Sequence, residues 1–153
     1  MKILIPYDGS RNSLVALRLL AGMALNPNSE ILILKVVPPS TGFLGFGDDP
    51  VHNQEIINNQ SIVLRELSRE LSLWQTGCDI SFKVHFGSPA EGILDVSEEW
   101  QADLIILGPR RPDKLQNFFM GSVSKEVTFK SNCPVMIVRP PEDKPTTPRA
   151  YEN

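Results

Sequence analysis

The sequence is poor in cysteine, and this scarcity excludes two classes of protein. Its 153 residues include only Cys78 and Cys133, which stand far apart, with no CxxC pair and no Cys/His cluster. A disulfide framework and a structural zinc site are therefore excluded, and a reduced cytoplasmic setting is the simpler interpretation. A chain of this length buries about 68–70% of its unfolded surface, so one domain needs no such staples.

Excess positive charge and long hydrophobic runs are also missing. The 15 basic and 18 acidic side chains give a formal net charge of −3, which argues against nucleic-acid and membrane-surface partners. The opening MKILIPYDGS has a short apolar run broken by Pro6, so neither a signal peptide nor a membrane anchor is expected. Residues 109–139 reverse the balance, with 6 basic and 2 acidic side chains. This segment is either an anion site or a solvated basic face.

Short runs of β-branched and aliphatic residues alternate with helical patterns along the chain. Runs such as ILILKVV and LIIL are apolar almost throughout, which is typical of strands buried on both faces of a parallel sheet. The expected strands are 2–6, 31–37, 80–86, 104–108 and 135–139, and the expected helices are 10–25, about 51–75, 88–100 and 121–132. This alternation predicts an α/β domain with right-handed crossovers.

The helical patterns also predict which side chains face the core. The first expected stripe consists of Leu14, Leu17, Ala21 and Ala24, and the second of Ile56, Val63, Leu67, Leu71 and Trp74. Ser88-Pro89-Ala90-Glu91 has the pattern of a capping box. Residues 38–53 are expected to form a flexible loop and residues 140–153 a disordered tail, which leaves 1–139 as the domain.

Two strand ends carry residues suited to ligand binding. In open parallel sheets, ligands bind beyond the carboxyl ends of the strands, where the strand order reverses. Asp8 follows the first strand, where it either accepts hydrogen bonds from a ligand or favours the positive end of the first helix. Gly108 ends the fourth strand and Gly121 precedes the fourth helix, so backbone N–H groups can approach phosphate oxygens there. Turn and cap glycines are common, so these two alone indicate little.

Four segments carry a family resemblance: ILIPYDGS, LKVV, GSPAEGILDVSEEWQADLIILG and MGSVSKEVTFKSNCPVMIVRP. With them the chain resembles, over about residues 1–139, the universal stress proteins, single-domain α/β proteins with a nucleotide-binding branch. That branch carries a signature of Gly, two residues, Gly, nine residues, then Gly followed by Ser or Thr. Gly108, Gly121 and Ser122 reproduce the spacing, and Arg111 replaces the second glycine. If that position needs a positive φ, the replacement costs about 1–2 kcal/mol.

The resemblance implies a Rossmann-like three-layer sandwich, with a five-stranded parallel sheet in the order 3-2-1-4-5 and helices on both faces. The reversal then lies between strands 1 and 4, and the two strand ends identified above face one crevice. It also implies an adenine nucleotide there (ATP, ADP or AMP, with Mg²⁺ on its phosphates), its base near Val36 and Asp8. The expected binding residues are Pro6, Tyr7, Asp8, Val36, Leu107, Gly108, Arg110, Arg111, Gly121, Ser122 and Val123.

Two alternatives remain open for the role of Arg111, and two for the function of the protein. Arg111 either binds phosphate through its guanidinium, with Arg110 beside it, or only solvates the loop. The first function hypothesis is a cytoplasmic regulator of stress responses that binds an adenine nucleotide. The second is a dimeric, stress-related interaction protein that binds none.

Catalysis has little support in the sequence. The P-loop motif requires a lysine directly after its last glycine, and Ser122 stands there instead, so slow ATP hydrolysis is the most that is expected. His52 and His85 are isolated, and isolated histidines are more often structural. Asp48 and Asp49 either touch a nucleotide-bound metal or are solvated. We therefore expect no catalytic residue and no structural metal.

The last expected strand predicts self-association. Val135, Met136, Ile137 and Val138 form an apolar edge strand, and an uncovered edge exposes unpaired N–H and C=O groups. Two such strands related by a twofold axis pair antiparallel and close the contact. Family resemblance points the same way, so a homodimer is expected.

Overall fold

The computed structural model describes residues 1–38, 50–108 and 120–138, and the side chains of these residues except 50–52. The expectations for Arg110, Arg111, Asp48, Asp49 and the C-terminal tail lie outside this part of the chain. Strands and helices alternate as the sequence predicts. The elements are β1 (Lys2–Pro6), α1 (Arg11–Ala21), β2 (Glu30–Val37), α2 (Pro50–Trp74), β3 (Asp79–Phe86), α3 (Pro89–Glu99), β4 (Leu104–Leu107), α4 (Ser122–Lys130) and β5 (Val135–Ile137).

The five strands form one parallel sheet in the order β3-β2-β1-β4-β5, which confirms the expected topology. Eight residue pairs join β2 to β3 and five join β1 to β2. Only two pairs, Ile3 with Leu104 and Leu4 with Ile105, join β1 to β4. The strand order reverses at this short β1–β4 contact, because β1 is followed by β2 on one side and β4 lies on the other.

Helices cover both faces of the sheet, and each face has its own buried cluster. Ile3 and Ile5 of β1 point to the face covered by α1 and α2, whereas Leu4 between them points to the face covered by α3 and α4. This alternation follows from the period of two along a strand. Both sets of side chains are fully buried, which explains why the strands read as continuous apolar runs.

The ends and the buried faces of the first two helices differ from the expectation. Helix α1 ends at Ala21, because the next residue, Gly22, serves as its C-cap, and Ala24 is exposed. In α2 the buried stripe passes through Leu64 and Leu71, whereas Val63 and Trp74 are exposed. The expected core roles of Ala24, Val63 and Trp74 were therefore wrong.

Two local predictions also need correction. Ser88 is the N-cap of α3, but its side chain makes no capping hydrogen bond, so the capping box does not form. Residues 50–53 of the loop expected over 38–53 belong to α2, which begins at Pro50, and residues 39–49 lie outside the described residues.

A buried glutamine joins the ends of α1 and α2. Gln75 directly follows α2 and is 6% exposed. Its Nε2 donates to the carbonyl oxygens of Leu20 (2.6 Å), Ala21 (3.2 Å) and Met23 (2.8 Å). The last carbonyls of a helix have no partner within the helix. Gln75, just beyond the end of α2, supplies a donor to Ala21 and Met23 and a second donor to Leu20, which also accepts from the N–H of Met23 (3.1 Å). Its own amide nitrogen is thereby satisfied in a site closed to water.

Candidate functional site

A cleft of about 360 Å³ opens at the carboxyl edge of the sheet, where β1 and β4 lie side by side. The structure brings nine of the predicted site residues together around it, and Arg110 and Arg111 lie outside the described residues. The nine are Pro6, Tyr7, Asp8, Val36, Leu107, Gly108, Gly121, Ser122 and Val123. A cleft at the topological switch point is the expected position for a ligand in a parallel α/β sheet.

The turn between β1 and α1 holds Asp8 in a fixed position. Gly9 has a φ of +89°, which favours glycine and brings the chain back toward Asp8. The Oδ1 of Asp8 accepts a hydrogen bond from the N–H of Ser10 (2.8 Å), and its carbonyl oxygen accepts one from Lys35 Nζ (2.9 Å). The Oγ of Ser10 in turn accepts from the N–H of Ser13 (3.2 Å). At the start of α1 the N–H of Ser13 is therefore capped by a side chain of the same turn.

These contacts keep Asp8 ionised. Partial removal of its carboxyl from water opposes ionisation, but hydrogen bonds from Ser10 and Ser13 and the nearby charge of Lys35 outweigh that effect. The pKa of Asp8 consequently lies below its ordinary value of 3.8. The cleft therefore presents a carboxylate acceptor at neutral pH.

The start of α4 lies across the cleft and differs from the start of α1. Its N-cap is Gly121, which has no side chain to cap the helix. The first backbone hydrogen bond of the helix runs from Lys125 N–H to the carbonyl oxygen of Gly121 (2.9 Å). The N–H groups of Ser122, Val123 and Ser124 precede it and point out of the helix end. A helix end of this kind favours a nearby anion, because the N–H groups and the helix dipole act together.

Gly108 has a packing role independent of any ligand. A Cβ atom at this position would lie 2.5 Å from the carbonyl carbon of Asn12 and 2.9 Å from the backbone nitrogen of Ser13, and closer still to the carbonyl oxygen of Asn12. The exit of β4 thus passes directly against the first turn of α1. Glycine permits this approach, which brings the two sides of the cleft together.

The cleft also contains residues that the sequence analysis missed. Ser10, Asn12 and Ser13 come from the start of α1, and Lys35 comes from β2. Lys35 could have been identified from the sequence, because it is the only charged residue in the apolar run ILILKVV. The other wall contains Pro89 and Ile93 of α3. No local pattern identified that wall, because it depends on how α3 packs on β2.

The described residues contain no ready-made metal site. No group of three His, Cys, Asp or Glu side chains within 1–38, 50–108 and 120–138 is placed to hold a metal ion. His85 lies on β3 beside Val36 and packs against α3, and Cys78 and Cys133 are both free thiols.

Comparison with known proteins gives a consistent family match. The sequence model of the universal stress protein family matches residues 1–139. The universal stress protein YxiE of Bacillus subtilis is 31% identical over 146 residues, which cover 90% of this chain and 98% of YxiE. The structure of the universal stress protein MJ0577 from Methanocaldococcus jannaschii is similar with a TM-score of 0.76 and 25% identity, covering 92% of this chain and 96% of that one.

Two solved structures with the same fold are nucleotide complexes. One is a universal stress protein in complex with cAMP, with a TM-score of 0.66, 22% identity, and coverage of 91% of this chain and 96% of that chain. The other is the universal stress protein from Archaeoglobus fulgidus in complex with dAMP, with a TM-score of 0.64, 20% identity, and coverage of 91% and 98%. At these identities the likeness concerns the fold.

The family match spans nearly the whole chain, and the fold, the strand order and the position of the cleft agree with it. The chain belongs to the universal stress protein family.

Proposed function

We propose that this protein binds an adenine nucleotide in the β1–β4 cleft and acts in the cytoplasm as a regulator of stress responses. The observation that carries the proposal is the contrast between the two helix ends at the cleft. The start of α1 is capped by Ser10, whereas no side chain within 1–38, 50–108 and 120–138 caps the first N–H groups of α4. An anionic group is accommodated at α4, and a hydroxyl or amine donor at the carboxylate of Asp8.

The rest of the cleft suits the remainder of a nucleotide. Val36 and Ile93 line its apolar wall, against which a base can pack. The known complexes of two similarly folded proteins with cAMP and dAMP support the same ligand class. Gly108, Arg110 and Arg111 are proposed to accompany the phosphates, together with any Mg²⁺ that they carry. We expect binding without efficient phosphoryl transfer, because Ser122 stands where a P-loop has lysine.

Calorimetry with ATP, ADP, AMP and adenosine tests the proposal, and one pair of variants locates the phosphates. Ser122 is the first residue of α4, where proline is well tolerated, and Gly121 before it has the extended backbone (φ −61°, ψ 157°) that precedes proline. Ser122→Pro therefore removes one N–H donor and leaves the helix intact, while Ser122→Ala retains that donor.

We expect Ser122→Pro to weaken ATP binding about tenfold or more, as for the loss of a charge-assisted hydrogen bond, with little effect on adenosine. Ser122→Ala serves as the control for the lost hydroxyl. Arg111→Ala is likewise expected to weaken ATP more than adenosine. Absence of heat with every nucleotide at millimolar concentration would overturn the proposal.

A homodimer through β5 forms the second part of the proposal. In the described part of the chain β5 lies at the sheet edge and pairs only with β4. The N–H of Val138 donates to Leu107 (2.8 Å), so the N–H of the adjoining Ile137 points away from β4. That outward donor, with the apolar Val135 and Met136, is available to a second copy of the strand.

In the described residues no helix combines the length and the hydropathy required to cross a membrane.

A further inference from the structure

The layer formed by α1 and α2 carries most of the exposed apolar side chains. Seven large hydrophobic residues are exposed in the described part of the chain, and five of them belong to these two helices: Leu19, Ile62, Val63, Leu73 and Trp74. Leu73 is 75% exposed and Trp74 68%. Single exposed apolar residues are ordinary, but five of the seven on one layer make that layer a candidate interaction surface.

A groove of about 380 Å³ separates the two helices on this layer. Leu14 and Leu17 of α1 and Leu67 and Leu71 of α2 line it, and the indole of Trp74 lines it near the end of α2. We call this feature the α1–α2 groove. The surface therefore combines an apolar recess with bulky side chains, Leu73 and Trp74, that project beside it and could fill a similar recess on another molecule.

The groove also carries one charge of each sign. Arg18 lines it from α1 and Glu70 from α2. The ion pairs found among the described residues, Lys83–Glu99 and Lys130–Glu126, lie elsewhere, so Arg18 and Glu70 are more than 4.0 Å apart and do not pair. A partner that presents an acidic group to Arg18 and a basic group to Glu70 would pair with both.

We propose that the α1–α2 groove is an interface for a second copy of this chain, related by a twofold axis. In a twofold contact the same surface lies on both sides, so it must be complementary to itself. This surface carries one charge of each sign, and it has both an apolar recess and projecting apolar side chains. Arg18 of one subunit faces Glu70 of the partner subunit, and Leu73 and Trp74 are covered by the opposing layer. A small ligand in the groove would match the charges but would leave Leu73, which does not line it, in water.

This interface is separate from the one proposed at β5. Helices α1 and α2 cover one face of the sheet, whereas β5 lies at its edge. The two contacts can therefore form independently, and a molecule that uses both would assemble beyond a dimer. The inference also does not depend on nucleotide binding.

Charge reversal at the two positions gives a test that only an intermolecular contact can pass. In Arg18→Glu homodimers two glutamates meet at each contact, and in Glu70→Arg homodimers two arginines meet, so each variant should self-associate at least tenfold more weakly than the wild type. When the two variants are mixed, every contact again joins opposite charges. Association through the groove is therefore expected in the mixture at concentrations where neither variant forms this contact alone.

Sedimentation equilibrium measures the mass, and tryptophan emission reports the surface. In a Trp100→Phe background Trp74 is the only tryptophan, and its emission should shift to shorter wavelength as association removes the indole from water. Lys125→Glu and Glu98→Lys are matched controls, because both residues are exposed and lie on α4 and α3, which cover the opposite face of the sheet. Their mixture should behave like each variant alone.

The separate variants also give the baseline for the β5 contact. A baseline near the chain mass of 17.0 kDa would mean that β5 does not pair, and one near twice that mass that it does. Mixing Arg18→Glu with Glu70→Arg should double the mass if the baseline is the monomer, and should at least double it if the baseline is the β5 dimer, because each such dimer carries two grooves. The proposal is overturned if mixing leaves the mass and the Trp74 emission unchanged, or if either variant associates as tightly as the wild type.

Discussion

Replacement of Gly108 by alanine should separate the two sides of the cleft. The added Cβ would lie 2.5 Å from the carbonyl carbon of Asn12, about 0.9 Å short of the 3.4 Å at which ordinary contact begins. The neighbouring atoms belong to the backbone of α1 and not to a flexible side chain, so the clash is relieved only when the first turn of α1 moves away from β4. That movement would carry Ser13 and the turn that holds Asp8.

The expected cost is about 1–3 kcal/mol of unfolding free energy, the range for overpacking of a closely packed site. Urea unfolding followed by far-UV circular dichroism measures it, with an unchanged m-value showing that the folded state remains compact. Nucleotide affinity should fall as well, because the α4 end and Asp8 no longer face each other at the same separation. Adenosine and ATP should both be affected, unlike in Ser122→Pro.

Gly22→Ala is the matched control for Gly108→Ala. A Cβ at Gly22 would lie 3.6 Å from the carbonyl oxygen of Leu19, an ordinary contact, and Gly22 has a φ of −91°. This substitution should change stability by no more than about 0.5 kcal/mol, or increase it slightly through the unfolded state. If Gly108→Ala is as stable as Gly22→Ala, the close approach does not constrain the fold and the reasoning fails.

Three further predictions concern other parts of the molecule. Gln75→Ala should lower the unfolding free energy by about 2–4 kcal/mol, because the carbonyl groups of Ala21 and Met23 lose their side-chain donor and that of Leu20 loses one of its two donors, whereas the exposed Gln54→Ala should change it by less than about 0.5 kcal/mol in the same urea assay. Asp8→Asn should reduce stability at pH 7; because folding lowers the pKa of Asp8, this difference from wild type is present above the ordinary value of 3.8 and should vanish as the pH falls through the lower pKa of the folded state. Ile137→Pro should convert a β5-linked dimer, measured by light scattering, to half its mass without loss of the β4 pairing, and a dimer that persists would refute the β5 contact.

The strands were predictable from the sequence because a strand that is buried on both faces consists almost entirely of apolar residues. The run ILILKVV has buried side chains at Ile31–Leu34, and β2 begins one residue earlier and ends where predicted. The strand order, by contrast, came from the family resemblance, because periodicity carries no information on which strands are neighbours. Asp8 and Gly108 were found by the rule that ligands bind at strand ends.

The helix faces were harder to predict, for a physical reason. In α2 two neighbouring stripes carry apolar residues, and the one that packs on the sheet includes the polar Ser68 and Gln75. Apolar periodicity favoured the stripe with Val63 and Trp74, because these side chains are apolar. Ser68 and Gln75 can nevertheless be buried, because the hydroxyl of Ser68 donates to the carbonyl oxygen of Leu64 (2.9 Å) and the amide of Gln75 donates to carbonyl oxygens of α1. The bond of Ser68 is local, four positions along the helix, whereas the bonds of Gln75 cannot be read from local sequence, since their carbonyl acceptors lie more than 50 positions away.

The short β1–β4 contact has a consequence for the cooperativity of the domain. It divides the sheet into a three-stranded part that is densely paired and a two-stranded part, β4 and β5, joined to it by two residue pairs. Segments with few pairings open at lower free energy than the whole domain unfolds, so this seam is the natural boundary between two units of native-state hydrogen exchange. The cleft spans the boundary, and a molecule bound across it would hold both units closed with a free energy that grows with the logarithm of its concentration. Occupancy would then be readable in the exchange rates of β4 and β5 amides that the ligand does not touch.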